Sequence, residues 1–191
     1  MQQISAGFTL VEMIVTVAVL AILLAIGIPS FQGTLDKRRL VGAAEQLYAD
    51  LQYARTEAIK KNRQVTVSFT TGANWCYGLD DDTTTVCNCS TQAANCTVDG
   101  IQKIVSASNF SGVSLSSTFV SNNLCIDPRR GTMRSGTISL TGCTSPTGGR
   151  ASFNSSTGII DVIASSMGRV RICSDNSELS QYKPSTGTCQ P

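Results

Sequence analysis

A long apolar run near the N-terminus constrains the fold of this chain more than any other feature. Residues 8–28 span about 21 positions, which is enough for a helix to cross a bilayer. One carboxylate, Glu12, lies near the start of the run. An unpaired charge in hydrocarbon costs about 2.5–3.5 kcal/mol on insertion scales, so such residues normally have a partner or a function. Glu12 therefore needs a cation, and the first Lys or Arg of the chain is Lys37.

The apolar run continues into an amphipathic segment, with Pro29 expected to kink or restart the helix. Apolar residues then recur at alternating spacings of four and three, namely Leu40, Ala44, Leu47, Leu51, Ala54 and Ala58. We predict one helix of roughly fifty residues, transmembrane over residues 8–30 and amphipathic over residues 31–63. A cleavable secretory signal is disfavoured, because no Lys or Arg precedes the run and the run is too long.

Residues 64–191 have the pattern of a β-rich domain. The stretch QVTVSF, residues 64–69, alternates and is β-branched, so it predicts a strand. Further strand candidates, separated by Gly, Asn, Pro and Ser turns, cover residues 75–79, 101–107, 113–120, 132–140, 150–153, 158–164 and 168–173. Short strands this close together form antiparallel sheets, and the apolar stripe of the helix is the natural cover for them. The predicted fold class is α+β.

Eight cysteines, all beyond the apolar run, indicate disulfides formed in an oxidising compartment. They are Cys76, Cys87, Cys89, Cys96, Cys125, Cys143, Cys173 and Cys189. We predict no metal site, because the chain has no histidine and has Cys-x-Cys where zinc sites usually have Cys-x-x-Cys. Nearness along the chain suggests the pairs Cys173–Cys189 and Cys125–Cys143, with the other four pairing among themselves. Other connectivities remain open.

Charge is distributed unevenly along the chain. Residues 1–100 carry seven Lys/Arg and nine Asp/Glu, whereas residues 101–191 carry eight and four. The basic C-terminal half contains the arginines Arg129, Arg130, Arg134, Arg150, Arg169 and Arg171. In the N-terminal half, the acidic run Asp80–Asp82 predicts a solvated loop, with a calcium site as the alternative.

The segment G-R-V-R, residues 168–171, has a chemical implication of its own. On a strand, Arg169 and Arg171 project from one face about 6–7 Å apart, close to the spacing of successive phosphates in a nucleic acid. Arginine is the side chain best suited to bidentate phosphate contacts. Gly168 permits a tight turn before the strand. By itself the motif is weak evidence, because two exposed arginines on a strand are common.

The N-terminal residues resemble the class III signal of type IV prepilins and of the pseudopilins of type II secretion. The motif is Gly7-Phe8-Thr9-Leu10-Val11-Glu12, followed by an apolar run and Pro29. The resemblance implies that residues 1–7 are a leader peptide, cut between Gly7 and Phe8 by prepilin peptidase, and that the new amine of Phe8 is methylated. It also implies that Glu12 pairs with the N-terminal amine of a neighbouring subunit in a filament, so that the missing cation belongs to another chain.

Later segments are similar to the FimT/FimU/GspH group of minor pilins and pseudopilins. Residues 42–69 resemble the helix of that group as it enters the first strand. The segment CIDPRRGTM, residues 125–133, resembles its strand and turn before a later hairpin. The resemblance implies a type IV pilin-like fold, in which a long N-terminal helix packs on an antiparallel β-sheet domain, residues 64–191.

The G-R-V-R segment matches a feature of FimT-type minor pilins, which capture DNA in natural transformation and carry G-R-x-R just before the C-terminal tail. The resemblance implies that Gly168, Arg169 and Arg171 form a site for double-stranded DNA, with Lys183 as a further contact and Tyr182 able to stack on a base. We predict a minor pilin that binds DNA without base specificity. The alternatives are a structural minor pilin that initiates or caps the filament, and a pseudopilin of the GspH kind.

The same resemblance implies partners and a location. The expected partners are other major and minor pilins, prepilin peptidase, double-stranded DNA and, before assembly, the inner membrane. The globular domain is expected in the periplasm and, after assembly, on an extracellular pilus. We expect neither an enzyme nor a cofactor, because the chain has no histidine to act as a general base and nothing places a base beside a Ser or Thr.

Overall fold

The computed structural model describes residues 7–82, 87–138, 143–184 and 189, with the side chains of residues 26–30 and 178 excepted. Residues 1–6 of the predicted leader lie outside this description. The helix is α1 (Leu10–Lys61). The strands are β1 (Val65–Thr70), β2 (Cys76–Asp80), β3 (Thr97–Val98), β4 (Ile101–Gln102), β5 (Ile104–Ser106), β6 (Ser114–Ser117), β7 (Asn123–Ile126), β8 (Met133–Ser135), β9 (Gly149–Ser155), β10 (Gly158–Ala164) and β11 (Val170–Cys173).

The chain divides within α1 into two compact units, Met1–Leu35 and Asp36–Pro191. In the first unit, the large apolar side chains from Phe8 to Leu24 are 51–80% exposed. Helix α1 runs through position 29 and does not restart there. Within the described part of the chain, no helix is long and apolar enough to cross a membrane. The transmembrane segment over residues 8–30 stays a prediction.

The second unit holds the hydrophobic core, and the stripe predicted on α1 is its helical wall. All six stripe residues are completely buried, as is Ala43 beside them. Burying a leucine side chain contributes about 1.5–3 kcal/mol, and alanine between leucines lets the strands approach the helix backbone closely. Every described apolar side chain that is buried belongs to this unit.

The strands form antiparallel sheets, as predicted. One sheet has five strands in the order β5-β2-β1-β7-β8, a second has four in the order β11-β10-β9-β6, and β3 pairs with β4. The two larger sheets meet at a bridge in which Gly72 and Leu115 exchange backbone hydrogen bonds of 2.8 and 3.1 Å. With α1 packed on them, these sheets make an α+β fold, as predicted.

Some strand predictions need correction. Residues 101–107 do not form one strand, because Lys103 leaves the ladder to bond with Cys96 and Leu79, and this divides β4 from β5. Of residues 132–138, the described part of this candidate, only β8 is a strand, and it ends where Gly136 adopts a positive φ of 128°. Residues 139–142 lie outside the description.

Four disulfides pair all eight cysteines, and they include both pairs expected from nearness along the chain. They are Cys76–Cys89, Cys87–Cys96, Cys125–Cys143 and Cys173–Cys189. The remaining four cysteines pair among themselves, as predicted. Since all four bridges lie within Asp36–Pro191, that unit contains both the core and the cross-links of the described chain.

Candidate functional site

The turn between β10 and β11 presents the G-R-V-R segment. The Gly168 N–H donates to the Ser165 carbonyl at 2.9 Å, and the Ser165 N–H donates to the Arg169 carbonyl at 2.9 Å. Gly168 has a φ of +82°, a region that residues with a Cβ rarely adopt. The glycine is therefore required by the shape of this turn.

A second glycine turn packs directly against Gly168. A Cβ built on Gly168 would overlap the carbonyl oxygen of Gly131, which ends the turn between β7 and β8. Arg55 of α1 joins the two turns, since its Nη1 donates to the Gly168 carbonyl at 3.0 Å. A Cβ on Gly131 would lie 2.7 Å from Nε of the same arginine. Beside the motif, α1 therefore contacts a turn of the five-stranded sheet and a turn of the four-stranded sheet.

The arginines of the motif alternate with a buried residue, as predicted for a strand. Arg169 and Arg171 are exposed, whereas Val170 between them is 6% exposed and faces the core. This alternation places the two arginines on the outer face of β11, an edge strand of its sheet.

Tyr182, by contrast, is held against the core, while its neighbour Lys183 is exposed. Tyr182 is half-buried against the core, and its hydroxyl donates to the carboxylate of Glu45 on α1. Burial first, and the Glu45 carboxylate second, raise the pKa of Tyr182 to about 12. Glu45 precedes Arg55 by roughly 15 Å along the helix axis. The half-buried ring and its hydroxyl contact with Glu45 do not favour the suggestion that Tyr182 stacks on a base.

Arg150 is also committed to the fold. Its Nη1 lies 2.9 Å from Oδ2 of Asp161, and its Nη2 donates to the Cys189 carbonyl at 3.0 Å. This arginine therefore holds the disulfide-bonded tail against β9 and β10, and its positive charge is paired.

The acidic run is not the solvated loop predicted from its composition. Asp80 ends β2 and is 1% exposed, and its Oδ1 accepts from the Asp82 N–H at 2.9 Å. Burial raises the pKa of Asp80 to about 6. Asp81 instead pairs with Arg63 at 3.3 Å. Asp80 and Asp81 therefore have different partners. Among the described residues, the grouping of potential metal ligands formed by Cys173, Asp175 and Cys189 includes two disulfide sulfurs.

The N-terminal motif lies in the first unit and is accessible. Gly7, Phe8 and Glu12 are all exposed. The Glu12 N–H donates to the Thr9 hydroxyl at 3.2 Å, which caps the start of α1. Among the residues from Gly7 onward that the structure describes, no cation lies within ion-pair distance of the Glu12 carboxylate.

Two residues that hold this site, Arg55 and Gly131, are not predicted from the sequence. The available signal was Asp127-Pro128 followed by Gly131, a composition typical of a tight turn. The contact of that turn with Gly168 depends on tertiary packing, which local patterns do not encode.

Comparison with known proteins identifies the family. The protein-family model of the type II transport protein GspH matches residues 43–152. The family model of the prokaryotic N-terminal methylation motif matches residues 3–28. Two crystal structures of the type IV minor pilin FimU from Pseudomonas aeruginosa are similar at 18% identity, with TM-scores of 0.48 and 0.45. These matches cover 71% and 70% of this chain, and 89% and 91% of the FimU chains. No curated protein sequence matches the chain.

The GspH family model spans more than half of the chain. It covers the buried stripe of α1 from Ala44 onward and the strands up to the middle of β9. The methylation motif covers the segment that contains Gly7, Phe8 and Glu12. This chain belongs to the GspH family of minor pilins and pseudopilins.

Proposed function

We propose that this chain is a minor pilin, assembled into a type IV pilus, that binds double-stranded DNA for uptake in natural transformation. The observation that supports the proposal best is the placement of Arg169 and Arg171 on the exposed face of an edge strand. The Gly168 turn fixes the start of that strand against Arg55 and Gly131. Lys183 is a peripheral contact in this proposal.

The chemistry of this surface suits a phosphate backbone. Guanidinium groups form bidentate, charge-assisted hydrogen bonds with phosphate oxygens, and a rigid strand fixes their spacing. Contacts of this kind carry no base information, so binding is without base specificity and weakens steeply as salt rises. Both properties suit a protein that captures DNA of any sequence.

Assembly follows from the N-terminal residues. We propose that prepilin peptidase cuts between Gly7 and Phe8 and methylates the Phe8 amine, with the apolar part of α1 held in the inner membrane before assembly. Exposed apolar side chains from Phe8 to Leu24 then pack against other major and minor pilins. In the filament, the Glu12 carboxylate pairs with the N-terminal amine of a neighbouring subunit.

A second candidate function is purely structural. The family model is described as a type II transport protein, which favours a pseudopilin in a periplasmic secretion filament. A minor pilin that initiates or caps a pilus is the related possibility. In either role, the arginines are ordinary surface charges and the exposed apolar helix carries the function. All of these roles are structural or binding roles and none is catalytic.

The deciding experiment is a DNA titration of the full chain kept in a non-ionic detergent. Labelled double-stranded DNA is titrated at several salt concentrations, beside the variant Arg169→Ala/Arg171→Ala. A matched control, Arg38→Ala/Arg39→Ala, removes the same charge from α1 about 24 Å before Arg55 along the axis.

Binding that weakens with salt, is lost in the first variant and is kept in the control supports DNA capture. If the wild-type chain fails to bind even at low salt, the proposal is wrong and a structural role becomes the better account.

A further inference from the structure

An open pocket lined by three arginines lies beside the G-R-V-R turn. Arg129, Arg130 and Arg134 line it together with Asp127 and Ser166, and its volume is about 430 Å³. Arg129 and Arg130 come from the turn between β7 and β8, and Arg134 lies on β8. All three arginine side chains are exposed.

The pocket is strongly cationic, although one carboxylate lines it. Oδ1 of Asp127 accepts hydrogen bonds from the backbone N–H groups of Arg129 and Arg130 at 2.8 and 2.9 Å. The carboxylate therefore shapes the turn that carries the arginines. Throughout residues 7–82, 87–138 and 143–184, no carboxylate forms an ion pair with the guanidinium groups of Arg129, Arg130 or Arg134.

The pocket and the G-R-V-R segment share a wall. Ser166, which lines the pocket, lies in the same turn as Gly168, and its carbonyl accepts from the Met133 N–H at 3.2 Å. Gly131, which follows Arg130, is in contact with Gly168. The arginines of the β7–β8 turn and those of β11 therefore lie beside the same contact, between Gly131 and Gly168. This contact fixes the position of the turn relative to the strand.

We propose that this arginine pocket binds backbone phosphates of the same DNA duplex that Arg169 and Arg171 contact. The inference rests on the proposed function and extends its site from one strand to two adjoining turns. A nucleic-acid backbone presents charges repeatedly along its length, so a ligand held at β11 offers further phosphates to cations beside it. Planar guanidinium forks match phosphate oxygens closely, and three of them line this pocket against one carboxylate, Asp127.

The pocket is tested by the salt dependence of DNA binding. The full chain, in a non-ionic detergent, is titrated with labelled double-stranded DNA as wild type and as Arg129→Ala/Arg130→Ala/Arg134→Ala. The plot of log K against log salt has a negative slope, and each lost phosphate contact makes that slope less steep by about 0.9. We expect the slope of the triple variant to be less steep than that of wild type by about 2–3, and binding to be weaker on the order of tenfold or more. The variant Lys37→Ala/Arg38→Ala/Arg39→Ala, which removes three positive charges from α1, controls for net charge.

A second variant keeps the test independent of any damage to the turn. Asp127→Asn removes the negative charge while retaining Oδ1 as the acceptor for the two backbone N–H groups. If the pocket holds phosphate, this variant binds DNA several-fold more tightly than wild type, because a repelling charge is gone. A residue that only shapes the turn would leave the affinity unchanged.

The outcomes separate this inference from the proposed function. If Arg169→Ala/Arg171→Ala abolishes binding while the triple variant and Asp127→Asn match wild type, the pocket is overturned and DNA capture stands. If wild type does not bind DNA, both are overturned. A poly-glutamate peptide is titrated in parallel. If it binds wild type more tightly than DNA of equal charge and is released by the triple variant, the pocket recognises an acidic protein segment and the assignment to phosphate is wrong.

Discussion

Gly168 and Gly131 lie in backbone contact, with no room for a Cβ on Gly168 between them. The contact joins the hairpin that carries Arg169 to the turn that carries Arg129 and Arg130. Arg55 completes it by donating to the Gly168 carbonyl. The exposed arginines therefore rest on a buried contact between two glycine turns. A substitution at Gly168 can disturb this contact without removing any of the exposed charges.

Replacing Gly168 with alanine is expected to destabilise the fold by more than the strain of a positive φ alone. That strain is about 1–3 kcal/mol, and the overlap with the Gly131 carbonyl adds to it. Gly100→Ala is the matched control, since its φ of +75° is similar and nothing lies within 4 Å of its Cβ position. The measurement is denaturant unfolding of both variants. Equal losses of stability would contradict the packing argument.

The buried Asp80 is expected to make stability depend on pH. Its pKa is about 6 in the folded state, above the ordinary value of 3.8, because burial disfavours the charged form. Because the pKa of Asp80 is higher in the folded state, its protonation stabilises the fold in full below about pH 4. This stabilisation is lost as the pH rises through 6. Ionised Asp80 therefore destabilises the protein at neutral pH.

The variant Asp80→Asn tests this reading. We expect it to be more stable than wild type at pH 7 by about 1–3 kcal/mol, with the difference shrinking towards pH 4. Asp99→Asn is the control, because that carboxylate pairs with Lys61 at the surface, where an ion pair contributes about 0–1 kcal/mol. A difference at pH 7 that persists unchanged at pH 4 would show that ionisation of Asp80 is not the cause.

The Cys173–Cys189 bridge is expected to hold the C-terminal tail against β11. Replacing both cysteines with alanine should lower the free energy of unfolding by about 3 kcal/mol, because the bridge closes a loop with a sequence separation of 16. Arg150 donates to the Cys189 carbonyl, so its contact with the tail should weaken as well. Thermal melting, alone and with a reductant, measures the effect. A double variant as stable as wild type, and equally sensitive to reductant, would contradict it.

The helix and most strands were predictable because each has a local period. The stripe from Leu40 to Ala58 repeats at the spacing of a helix face, and all of it is buried. The predicted family, the α+β fold class and the two predicted disulfide pairs are likewise confirmed. The alternation of Arg169, Val170 and Arg171 was sufficient to predict one exposed face.

What the sequence did not reveal depends on tertiary contacts. Asp80 resembles a loop residue in composition, but pairing of β2 with β1 draws it into the sheet and buries it. Tyr182 lies in a polar tail, yet the tail folds back until its hydroxyl reaches Glu45 on α1. The arginine pocket joins residues that are more than thirty positions apart, Arg129 and Ser166, through a contact between two glycine turns.

The exposed carboxylate of Glu12 leads to the last prediction, which concerns assembly. In a filament of bundled apolar helices, an unpaired Glu12 is costly, and pairing with a neighbouring N-terminal amine removes that cost. We expect Glu12→Ala to be cleaved normally but to be incorporated into filaments several-fold less than wild type, as measured by immunoblot of sheared filaments. Replacing Gly7 is the complementary control, and it should leave a slower-migrating precursor. Wild-type incorporation of Glu12→Ala would show that this carboxylate does not pair with a subunit N-terminus during assembly.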